Sequence, residues 1–67
     1  NSNNILYLSA QAPMDKLEIF NLLGQKIISK KLSYSKESIL LDTLNSGIYL
    51  AQVEIKGQTK TFKFFKK

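Results

Sequence analysis

Gly47-Ile48-Tyr49-Leu50-Ala51-Gln52-Val53-Glu54-Ile55 decides the fold. Tyr49, Ala51, Val53 and Ile55 alternate with Leu50, Gln52 and Glu54, the period-2 pattern of a strand with one buried face. Asn45-Ser46-Gly47 just before it is the strongest turn signal in the chain. Lys56-Gly57 just after it reads as a two-residue hairpin turn, although lysine is a weaker first residue there than Asn or Asp. Residues 58–67 then form the returning strand, with Phe62 and Phe64 on one face and Thr61, Lys63 and Phe65 on the other.

Working toward the N-terminus, residues 38–42 hold Ile39 and Leu41 on one face, and residues 32–36 are a polar connection. Residues 25–32 form an Ile- and Lys-rich strand. Asn21-Leu22-Leu23-Gly24 is a tight turn in which Gly24 supplies the positive φ. Leu17 and Ile19 alternate with Lys16 and Glu18 as in a half-buried strand. Residues 10–15 contain the only proline, Pro13, and read as a loop, while residues 5–8 are an apolar run of strand length. A helix over residues 16–24, with Leu17, Phe20 and Leu23 three apart, is the competing reading; Asn21 and Gly24 break it early. Six short strands with a turn signal roughly every ten residues favour an antiparallel sandwich or barrel over alternating βαβ units.

The 67 residues suffice for one small domain, with no cysteine to staple it and no histidine. The chain opens on Asn1 rather than Met, with no charged-then-apolar leader, and reads as a piece of something longer. No apolar run approaches membrane-spanning length. The five carboxylates (Asp15, Glu18, Glu37, Asp42 and Glu54) are scattered over separate segments. Without His or Cys the usual nucleophilic triads cannot form. So small a sandwich is expected to leave little room for a cleft of the usual ~300 Å³ or more. Asn1, Asn3 and Asn4 lack an acid partner and read as a polar terminus rather than a cation site. Neither catalysis, nor a cofactor, nor a metal, nor a small-molecule substrate is indicated.

All ten basic residues are lysines, giving a net charge of +5. Lys56, Lys60, Lys63, Lys66 and Lys67 fall in the last twelve residues, which contain no acid. Lysines interleaved with Phe62, Phe64 and Phe65 superficially suit stacking on single-stranded nucleic acid. The absence of arginine argues against that partner. The plain account is an edge strand whose phenylalanines plug the core while its lysines discourage aggregation; a protein partner that reads the lysines is the other. Gly47-Ile48-Tyr49 has an equally plain account, with Gly47 permitting the turn and Tyr49 burying its ring while its hydroxyl stays wet. The aromatic positions in strands are expected to be mostly buried, against a carbohydrate-binding or adhesive module that would display rings on one face.

Three segments together resemble one family, the type A C-terminal sorting domain of cargo for the type IX secretion system. Leu17-Glu18-Ile19-Phe20-Asn21-Leu22-Leu23-Gly24-Gln25-Lys26 is similar to its strand followed by a Leu-Gly-Lys turn. Ile39-Leu40-Leu41-Asp42-Thr43-Leu44-Asn45-Ser46-Gly47-Ile48-Tyr49-Leu50 is similar to its "leucine, two residues, Gly-Ile-Tyr" motif. Gly57 followed by Lys63-Phe64-Phe65-Lys66-Lys67 resembles its Lys-apolar-apolar-Lys ending. The likeness spans residues 1–67 but lacks the Pro-Asn-Pro segment that usually opens the family. It implies an all-β, immunoglobulin-like antiparallel sandwich of six to seven short strands, with structural turns at Gly24, Gly47 and Gly57. It also implies a non-catalytic address continuous with an N-terminal cargo domain. Its partners would be an outer-membrane translocon and a sortase-like peptidase that removes it. Its route would run through the periplasm to the cell surface or the medium. Gly47, Ile48, Tyr49, Lys63, Lys66 and Lys67 are the expected recognition residues, with Phe62 and Phe64 as anchors. An exposed edge strand opens a route to dimers. The alternative is an adhesive or structural sandwich at the end of a secreted protein.

Overall fold

A computed structural model describes residues 4–67; Asn1 and Asn3 of the expected polar terminus lie outside the described residues. Six strands follow one another: β1 (Ile5–Ser9), β2 (Lys16–Phe20), β3 (Lys26–Lys31), β4 (Lys36–Leu40), β5 (Gly47–Ile55) and β6 (Gln58–Lys66). All pairings are antiparallel, and the strands divide into a two-stranded sheet β1-β4 and a four-stranded sheet β3-β2-β5-β6. Pairing of the first strand with the fourth, and of the second with the fifth, is immunoglobulin topology. β1 and β4 stand where strands B and E stand in that fold, and β3-β2-β5-β6 stand as C′-C-F-G. No described strand takes the positions of A or D, the outer neighbours of B and E.

The core lies where β2 and β5 meet the smaller sheet. Leu17 faces Val53 and Ile19 faces Ala51 across the β2–β5 ladder, and all four are buried. Leu8, Met14, Leu32, Ile39, Leu41, Leu44 and Tyr49 complete the same cluster. Burying each large apolar side chain contributes about 1.5–3 kcal/mol, the main favourable contribution in a domain with no covalent staple.

Residues 16–24 are not helical. Period-2 placement of Leu17 and Ile19 drives both into the core, and Asn21 then reverses the chain. Its side-chain oxygen accepts the N–H groups of Leu23 and Gln25, and its carbonyl accepts that of Gly24. Gly24 sits at φ +85°, a conformation that suits glycine. The β5–β6 turn is of type I′, with Lys56 at φ +52° and Gly57 at φ +80°. The Asp15 carboxylate accepts the Lys56 backbone N–H at 3.0 Å, which supports a lysine in a conformation it rarely adopts.

β4 starts and ends two residues earlier than the apolar pattern places it. Leu41 is buried beyond the strand and its N–H donates to the Asn4 carbonyl. The Glu37 carboxylate accepts the Ser33 and Tyr34 N–H groups and so shapes the loop preceding β4.

Candidate functional site

Four of the five carboxylates are occupied by structure. Asp15 and Glu37 receive backbone N–H groups, Glu18 pairs with Lys26 at 3.0 Å, and Lys16 lies 3.9 Å from Glu18 and 3.8 Å from Glu54. The hydrogen bond from Lys26 holds the Glu18 carboxyl below its ordinary value against the opposing effect of desolvation, with a lesser contribution from the charge of Lys16. Among the described residues no three His, Cys, Asp or Glu side chains gather as a metal site. The expectation of little cleft volume fails: a groove of about 660 Å³ opens between β1 and the β5–β6 hairpin. Two sheets of unequal width leave it, because two strands cannot cover four. Among the described residues its only charged lining groups are Lys56 and Lys60, which make no acid–base pair.

Gly47, Ile48 and Tyr49 separate once folded. Gly47, at φ +152°, opens β5 opposite Lys66. Tyr49 points into the sandwich, stacks on Phe64 with ring centroids 5.8 Å apart, and donates its hydroxyl to the Asn45 carbonyl at 2.7 Å. A tyrosine at the start of this strand bonding to backbone just upstream is the tyrosine corner of immunoglobulin-like sandwiches. The expectation that the hydroxyl stays wet is therefore corrected: it ties the β4–β5 connection to β5. Ile48 faces outward and is 43% exposed.

The terminal lysines divide in the same way. Strand alternation puts Phe62, Phe64 and Lys66 on the inner face and Lys63 and Phe65 on the outer one. Lys66, paired with Gly47, is only 8% exposed. Lys63 and Lys67 are exposed. Phe64 packs against the core, whereas Phe62 remains 38% exposed over the groove. Nor are the aromatic rings mostly buried, since Tyr7, Tyr34, Phe62 and Phe65 are all exposed. They occupy different elements and faces, so they form no single stacking platform.

The ladder register exposes a surface the sequence did not single out. One row across the outer face of the larger sheet reads Lys26–Phe20–Leu50–Lys63, and the adjoining row pairs Ile48 with Phe65. Phe20 and Leu50 are half-buried, while Phe65 is 62% exposed. Leu22 and Leu23 stand exposed at the turn beside Phe20. Toward the other end the same face carries Lys16, Glu18, Gln52, Glu54, Thr59 and Thr61. An apolar half flanked by Lys26 and Lys63 thus adjoins a polar, ion-paired half. Adjacent apolar residues at 22–23, 48–50 and 64–65 were the signal, because neighbours in a strand cannot share one buried face.

Fold and surface together define a β-sandwich with a tyrosine corner and a lysine-flanked apolar face. The sequence profile of the secretion system C-terminal sorting domain matches residues 2–67, and the chain belongs to that family, the sorting domains of type IX secretion cargo. No curated protein and no solved structure matches it. Domains of this family are borne by cargo proteins secreted to the cell surface or the extracellular space, and the family is generally non-catalytic.

Proposed function

We propose that this domain carries an attached cargo from the periplasm through the outer-membrane translocon of the type IX system, and that the outer face at the Gly47 end is the surface the translocon reads. One observation carries the reading. All three family-like segments, far apart in sequence, meet on that face, where Phe20 comes from the first, Ile48 and Leu50 from the second, and Lys63 and Phe65 from the third. The folded domain gains nothing by exposing Ile48 and Phe65 to water, so a partner that covers them accounts for their presence. Gly47, Tyr49 and Lys66 act from beneath, fixing the strand start and end that present Ile48, Lys63 and Lys67. A sortase-like peptidase then removes the domain from its cargo once export is complete.

The test is a reporter bearing a signal peptide and ending in this domain. Ile48→Ser with Phe65→Ser should leave the domain folded, since neither side chain is buried, and should retain the reporter in the periplasm. Replacing Lys63 and Lys67 with Gln should reduce export while leaving the thermal midpoint unchanged. Export at the parental level by both folded variants overturns the reading.

A further inference from the structure

The groove between the sheets lies where immunoglobulin topology would place strand A. Among the described residues β1 pairs only with β4 and β6 only with β5, which leaves each a free edge there, and the groove is walled by β1 with its following loop and by the β5–β6 hairpin. Leu8, Met14, Val53, Ile55 and Phe62 give it an apolar lining, and Lys56 and Lys60 supply the only charge. Phe62, opposite fully buried Ala51 in the ladder, owes its exposure to the absence of any strand above it.

We infer that this groove is a docking seat for an extended partner peptide in which apolar and acidic residues alternate. An extended strand is the shape that satisfies the unpaired N–H and C=O groups on the free edge of β1. Alternation sends every second side chain inward over Ile55 and Phe62 and the others outward toward the rim. Lys60 lies on the inner face two residues from Phe62 and is exposed, so acidic residues beside the apolar ones meet it and Lys56 with no carboxylate among the described lining residues to oppose them. A second copy fits poorly, because pairing along β6 would set Lys60, Lys63 and Lys66 against like charges. The seat lies on the inner side of the larger sheet, away from the Ile48–Phe65 surface, so the inference stands independently of the sorting assignment.

The test is titration of the ¹⁵N-labelled 67-residue chain with a capped heptapeptide alternating glutamate and valine. Amide shifts are expected to move in β1, in residues 10–14 and in residues 58–62. A lysine–valine heptapeptide should bind at least tenfold more weakly, and salt should narrow the difference. Lys60→Glu, at an exposed position, should keep the fold and reverse the preference between the two peptides. Absence of shifts at millimolar peptide, an equal response to both peptides, or shifts confined to the Ile48–Phe65 face overturns the proposal. So does concentration-dependent shifting of the same amides without peptide, which gives the seat to a second copy. The same shifts in a longer chain, again without peptide, give it to a segment of the protein itself.

Discussion

β5 and β6 have the same length and pair residue for residue from Gly47–Lys66 to Ile55–Gln58, yet their environments are opposite. Every second residue of β5 from Tyr49 to Val53 is buried, whereas β6 is exposed from Gln58 through Lys63. β5 alternates apolar and polar residues from Ala51 and β6 only from Thr61 to Phe64, so alternation identifies a strand without saying what covers it. Burial is set by place: β5 lies third in β3-β2-β5-β6 beneath the smaller sheet, and β6 lies at the edge with the open groove along its inner face. One strand of the hairpin anchors the fold, and the other leaves most of its side chains at the surface.

The largest expected effect contrasts the strand beneath the smaller sheet with the edge strand. Ile19→Ala, at the buried position facing Ala51, should cost about 2–5 kcal/mol and leave the domain largely unfolded at 37 °C. Phe62→Ala on the other flank of Ala51 should cost only about 1–2 kcal/mol, despite removing a larger side chain. Urea denaturation of the two variants decides the matter, and equal losses would mean that β6 is covered in solution.

Next in size is the tyrosine corner. Tyr49→Phe keeps the ring stacked on Phe64 but orphans a partly buried carbonyl, at about 1–2 kcal/mol. A midpoint unmoved by this change would show that the hydroxyl exchanges the Asn45 carbonyl for water without loss.

A smaller effect of opposite sign is expected at the turn joining the two strands. Lys56→Asn places a residue suited to positive φ at φ +52° and should stabilise by up to about 1 kcal/mol. A loss of stability there would mean that the lysine side chain makes a contact outweighing its backbone strain.

The smallest is electrostatic. Because Lys26 and Lys16 hold the folded-state pKa of Glu18 below its usual value near 4.5, the unfolded chain binds the proton more readily. The contribution of this pair is therefore present above about pH 4.5 and lost as the pH falls through the folded value. Glu18→Gln should flatten the stability profile in that acidic window and change little at pH 7. An unaltered profile would show that the pair is fully screened by solvent.

Much of this was legible beforehand. Leu17, Ile19, Ala51 and Val53 fall on one side of their strands by simple parity, and Gly24 and Lys56-Gly57 mark reversals whose backbone angles the structure reproduces. Tyr49 was legible as a buried ring but not as a latch, because its acceptor is a backbone carbonyl four residues away whose position depends on how the β4–β5 connection folds. Lys66 was read as displayed charge. Its inward position follows from parity with Phe62 and Phe64, but its burial depends on how the sheets pack, which parity does not give.

By itself the sequence determined the strands, their turns and the family-like segments, because these rest on period-2 alternation and on residues that tolerate positive φ, which are properties of neighbouring positions. The tertiary structure alone decided which strands share a sheet, and with that which apolar side chains are core and which are surface. By parity Ile48 and Val53 face opposite sides of one strand, but only the packing of one sheet over another decides which side is core. The exposed apolar face at the Gly47 end and the open groove beside β1 both follow from what the smaller sheet leaves uncovered.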